Sequence, residues 1–105
     1  MKNYLISFGD SDKYIVPFDG SREEFVHSEK FREIEDRVFD YLKQQFPTGG
    51  YRDVLGVDVE EARDGDSYPV LDRAGFDKLL NSVKRQVEVW RQDNEMNNNA
   101  PYDQL

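Results

Sequence analysis

The chain has 105 residues, 37% of them hydrophobic and 13% aromatic, and a formal net charge of -8. That length suits one small domain around one core. It holds no cysteine and a single histidine, which excludes disulfides, thiolate zinc sites, cysteine nucleophiles and a multi-histidine metal centre within one chain.

Lys2–Phe8 alternates, with Tyr4, Ile6 and Phe8 on one face and Leu5 and Ser7 on the other. Lys13–Phe18 repeats the pattern with Tyr14, Val16 and Phe18. Gly9-Asp10-Ser11-Asp12 between them is a cluster of turn formers, so the segment predicts a β-hairpin. Pro17 cannot donate to a ladder, which makes the second strand an edge or ends it there.

Ser21 and Glu24 fit a capping box, and a short helix is expected from Arg22. Ser28 is a second cap, with Glu29 in the turn that follows. The spacing of Phe31, Ile34, Val38, Tyr41 and Leu42 predicts a helix over 29–45 with one apolar stripe. Glu33 and Arg37 stand four apart on its wet face. Pro47 ends it, and Thr48-Gly49-Gly50 is expected to make the connection flexible.

Residues 51–62 predict a third strand, apolar on one face (Leu55, Val57, Val59) and acidic on the other (Asp58, Glu60). Residues 63–69 form an Asp- and Gly-rich loop, and Val70-Leu71 is a candidate for a short extra strand. Asp72 caps a last helix running from about Arg73 to about Asn94. Phe76, Leu80, Val83, Val87 and Trp90 recur at helical intervals, with Leu79 widening the seam. The Asn-rich residues 94–105 are expected to be a flexible tail, leaving residues 1–93 as the domain.

The fold class expected from this order is α+β: ββαβα, a small three-stranded, mainly antiparallel sheet in order 2-1-3. Two amphipathic helices pack on one face.

The charge is not evenly spread. Residues 53–72 hold seven acids (Asp53, Asp58, Glu60, Glu61, Asp64, Asp66 and Asp72) against Arg63 alone. Such a field repels nucleic acid and anionic membrane and attracts basic protein surfaces. Direct binding of nucleic acid or membrane is therefore not expected. Met1–Phe8 has one lysine and no long apolar core, so no signal peptide is expected. No run approaches a membrane span of about 20 apolar residues. The expected compartment is the cytoplasm.

Phe8-Gly9-Asp10-Ser11 resembles the first block of the GDSL hydrolases, in which the serine is the nucleophile after the first strand. The resemblance covers four residues. Those enzymes carry an Asp-x-x-His pair, and this chain has none; its one histidine is His27. A serine without a base is a weak nucleophile, and Gly, Asp and Ser are ordinary turn residues. Asp64-Gly65-Asp66 is similar to part of an EF-hand loop. In that frame Ala62 stands at the third position and Leu71 at the twelfth, so the ligand set is missing. A weaker divalent-cation site from Asp64, Asp66 and Glu60 or Glu61 is the remaining metal reading. No cofactor and no metal are expected.

The leading functional expectation is a non-enzymatic protein-interaction module. Its acidic surface would comprise Asp58, Glu60, Glu61, Asp64 and Asp66, and would meet a partner with a basic surface. The seam through Val87 and Trp90 is expected first as core, with an apolar partner contact at Trp90 and Val87 as the other reading; a homodimer is the second kind of partner considered. The alternatives are an acidic nucleic-acid mimic that inhibits a DNA- or RNA-binding protein, and a small hydrolase or divalent-metal-binding protein.

Overall fold

The alternation at the N-terminus becomes strand β1, Lys2–Phe8, paired antiparallel with β2, Tyr14–Phe18. The connecting turn is held from within and from outside. Ser11 Oγ accepts the Phe8 N–H at 2.9 Å. Gly9 takes φ +58°, a conformation glycine adopts without steric cost.

The computed structural model describes residues 1–47 and 55–103, with side chains as far as residue 92. Helix α1, Arg22–Val26, opens on the expected capping box: Ser21 accepts the Glu24 N–H, and the Glu24 carboxylate accepts the Ser21 N–H. Helix α2, Glu29–Gln45, starts at Ser28 as its N-cap. Strand β3, Val57–Glu61, pairs antiparallel with β1 from Phe8↔Val57 to Tyr4↔Glu61. Helix α3, Arg73–Asp103, begins with the Gly75 N–H donating to Asp72 Oδ1 at 2.8 Å. Its backbone passes the expected end at Asn94. The side chains of the expected tail lie outside the described residues, as do residues 51–54 of the expected third strand.

The sheet order is β2-β1-β3, giving the small α+β architecture the element order predicts. Tyr4, Ile6 and Phe8 of the central strand join Tyr14, Val16 and Val59 in one buried cluster with the helix residues. From α2 come Phe31, Ile34, Val38 and Leu42, and from α3 Phe76, Leu79, Val83 and Val87. The opposite sheet face, with Leu5 and Ser7 of β1, contributes nothing to that cluster, so the helices cover one face only. Tyr4 and Phe25 stack with centroids 5.0 Å apart, and Phe25 meets Phe31 edge-on at 5.4 Å. Each such pair contributes about 0.5–1.5 kcal/mol beyond its burial. These contacts fix the short α1 between the sheet and α2.

Both sheet edges are managed. Pro69–Leu71 bridges the outer side of β2: Ile15 N–H donates to the Pro69 carbonyl and Leu71 N–H to the Ile15 carbonyl, both at 2.8 Å. The strand expected at Val70-Leu71 is this single parallel bridge. On the other edge, the register turns the Val59 carbonyl away from β1, and Arg22 Nε of α1 donates to it at 2.7 Å. An edge carbonyl already occupied is a poor template for a further strand.

The seam of α3 turns slightly from the expected line. Leu79 is fully buried, whereas Leu80 is only partly so and packs at the margin of the core. The buried line Phe76–Leu79–Val83–Val87 runs 3, 4, 4 in place of 4, 3, 4 through Leu80, so the core meets the edge of the apolar stripe on which Leu79 lies.

Candidate functional site

The acidic segment is placed by β3 and by the turn after it. Alternation sends Asp58 and Glu60 to the sheet face that the helices leave uncovered, beside Ser7 and Leu5 of β1. Both are exposed, as are Glu61, Asp64 and Asp66. They do not form one continuous row. Glu61 ends β3, one residue out of phase with Asp58 and Glu60. Asp66 Oδ2 accepts the Arg63 N–H at 2.8 Å and closes the turn in which Gly65 takes φ +91°.

Two lysines stand among these acids. Lys13 Nζ donates to Glu60 Oε1 at 2.8 Å, and Lys2 Nζ lies 3.7 Å from Glu61 Oε1. Lys13 belongs to the β2 side and Glu60 to β3, so their bridge passes over the central strand. Leu5 on that uncovered face is only 3% exposed. It sits between Ile15 and Glu60, and Lys13, Arg22, Asp58 and Glu60 line the shallow depression over it. Lysine stems cover apolar surface while the ammonium stays in water. Glu60 raises the Lys13 pKa by hydrogen bond and by charge. Asp58 and Asp64 have no bonded partner among the described residues.

The apolar contact expected at Trp90 and Val87 divides between core and surface. Val87 is fully buried and belongs to the core, because it completes the Leu79–Val83 line. Trp90 is half-buried, and the exposed apolar residue next to it is Val89. Trp90 and Val89 border a depression together with Gly9, Asp10 and Gln86. Gln86 was not singled out by the sequence pattern. Its amide accepts the Asp10 N–H at 2.8 Å and donates to the Phe8 carbonyl at 3.1 Å, fastening α3 to the β1–β2 turn.

The catalytic and metal candidates are not assembled. Ser11 Oγ accepts from Phe8 and donates to the Asp12 carbonyl at 3.0 Å; both contacts lie within its own turn. His27 is the C-cap of α1 and exposed. Among the described residues no group of three or more His, Asp or Glu side chains converges as a metal-ligand set. Among them, too, no helix is long and apolar enough to cross a membrane.

Comparison with protein-family models, with curated proteins and with solved structures finds no match for this chain.

Proposed function

We propose that this protein is a non-enzymatic interaction module whose uncovered sheet face, with the turn after β3, docks on a basic surface of a protein partner. The observation that carries this reading is the one-sided sheet. Asp58 and Glu60 project from the face that no helix covers, and Asp64 and Asp66 continue the negative charge beyond the strand. Charge of one sign on an open face steers a partner of the opposite sign and sets its orientation. The cytoplasm is the compartment we assign to this activity.

The sheet face fits a protein partner better than it fits mimicry of a nucleic acid. Lys13 and Lys2 are paired into the acidic set, whereas a row of phosphates carries one sign throughout. Mixed charges over a covered Leu5 suit a protein surface, which meets charge pairs and apolar area together.

The test is reversal of Asp58, Glu60 and Asp64 to lysine, leaving Asp66 to hold its turn. Loss of partner capture with an unchanged circular dichroism spectrum is the expected result. Capture at the wild-type level would remove this face from the function.

A further inference from the structure

On the opposite side of β2 from β1, a groove of about 740 Å³ runs between β2, the Pro69–Leu71 bridge, α2 and the start of α3. Ile15, Ile34, Leu71 and Phe76 are among its apolar lining, and Val70, which also lines it, is 51% exposed. Its charged rim carries an excess of cations, as does the depression lined by Lys78, Lys84 and Arg85 on the outer face of α3, but of the two only the groove joins them to an exposed aliphatic side chain. Lys30, Arg37 and Arg73 line it against Glu33 and Asp72, and Asp72 is committed to the first turn of α3 through the Gly75 N–H. On a chain of net charge -8, the groove is a locally cationic, apolar-lined site.

The cations are placed differently from one another. Lys30 donates to the Pro17 carbonyl at the groove's upper end. The Arg37 guanidinium lies 4.0 Å from the centroid of the Phe76 ring, so its planar face is held and its edge is left to donate. Arg73 makes no ion pair among the described residues. A fixed guanidinium beside an exposed aliphatic side chain is suited to a carboxylate next to an apolar anchor.

We propose that this groove binds a short acidic segment of a protein partner, with an apolar residue of that segment seated on Val70 and the neighbouring Ile15 and its carboxylates on Arg37 and Arg73. The site is separate from the acidic sheet face and takes the opposite charge. Local charge complementarity at Arg37 and Arg73 selects an acidic occupant, and the exposed Val70 selects a peptide over a polynucleotide, because a peptide can present an apolar side chain next to its carboxylates.

The experiment uses the full chain, isotopically labelled, in an NMR titration at physiological salt. Three probes are compared: a random copolymer of glutamate and tyrosine, polyglutamate of equal length, and a dT20 oligonucleotide. The copolymer is expected to shift the amides of Ile15, Ile34, Val70 and Phe76 saturably, and polyglutamate to bind about tenfold more weakly, as loss of an apolar anchor implies. Arg73→Glu and Val70→Asp, both at exposed positions, should each lower copolymer affinity by about tenfold while preserving the dispersion of the spectrum. Equal binding of the two polypeptides, shifts confined to Lys78, Lys84 and Arg85 on the outer face of α3, or tighter binding of dT20 would each overturn the proposal. So would self-association of the free chain that protects the same amides, because the occupant would then be a second copy.

Discussion

Lys13 Nζ and Glu60 Oε1 meet at 2.8 Å across the central strand, and the bridge has two consequences. It shelters Leu5 on the face that lacks a helix, and it cancels one of the charges on which the proposed docking depends. Lys13→Gln removes the positive charge and keeps much of the stem. The expected outcome is a small change in stability, since both side chains are about half exposed, and a faster association with a basic partner at low ionic strength. Stopped-flow association rates at two salt concentrations measure this. A slower association would place Lys13 in direct contact with the partner instead.

Alkaline titration should destabilise the fold through two groups. Burial raises the Tyr14 pKa, with the Asp12 charge adding to it, and Glu60 raises that of Lys13. In both cases the native state keeps its proton longer than the unfolded chain does. The associated stability is fully present below the unfolded pKa, about 10 for either group, and is lost as pH rises through the folded value. The melting temperature is therefore expected to be level from neutral pH to about 9 and to fall above about 10. Tyr14→Phe should shallow that fall. An equal decline in the variant would assign the alkaline loss to other groups.

The β1–β2 turn and α3 are coupled through Gly9 and Gln86. A Cβ on Gly9 would stand 2.2 Å from Gln86 Oε1 and 2.8 Å from Leu55, at a backbone conformation that also strains other residues. Gly9→Ala is expected to cost about 1–3 kcal/mol in urea unfolding. Gln86→Ala alone loses two hydrogen bonds to a partly exposed turn, for about 1–2 kcal/mol. In the double variant the clash with Gln86 disappears, so the two costs should sum to more than the measured total. Strict additivity would show that the clamp carries no coupling.

The rotation of the α3 seam is tested by two neighbouring leucines. Leu79 is fully buried, and Leu79→Ala is expected to cost about 2–5 kcal/mol. Leu80 packs only at the margin of the core, and Leu80→Ala should cost about 1 kcal/mol or less. Equal losses would restore the line through Leu80.

Where one chain segment sets its own geometry, the sequence was readable. The hairpin, the Ser21 capping box, the Ser28 cap and the α2 stripe depend on near neighbours, and all appear at the expected residues. The one-sided sheet followed from alternation in β1 and β3. What could not be read arises between distant segments. The Lys13–Glu60 bridge joins residues 47 apart, and the Gln86 clamp reaches 76 residues back to Asp10. Arg22 on the β3 edge and Arg37 over Phe76 are likewise long-range. No local pattern marks a glutamine or an arginine for such a role. Val87 was expected in the core seam and, with Trp90, at an apolar contact; packing through Leu79 and Val83 carries the core as far as Val87 and leaves Trp90 half-buried beyond it.

The central claim is that the uncovered acidic sheet face recruits a basic protein partner, and one comparison of baits tests it most directly. Three forms of the chain are immobilised: wild type, Asp58→Lys/Glu60→Lys/Asp64→Lys, and a control with Asp36→Lys/Asp40→Lys/Asp77→Lys, which changes the net charge equally at other exposed positions. Quantitative capture from host lysate is expected to show a protein retained by the wild type and the control and lost by the sheet-face variant. Retention by all three baits, or equal loss from both variants, would contradict the claim, since the first needs no acidic face and the second needs only net charge.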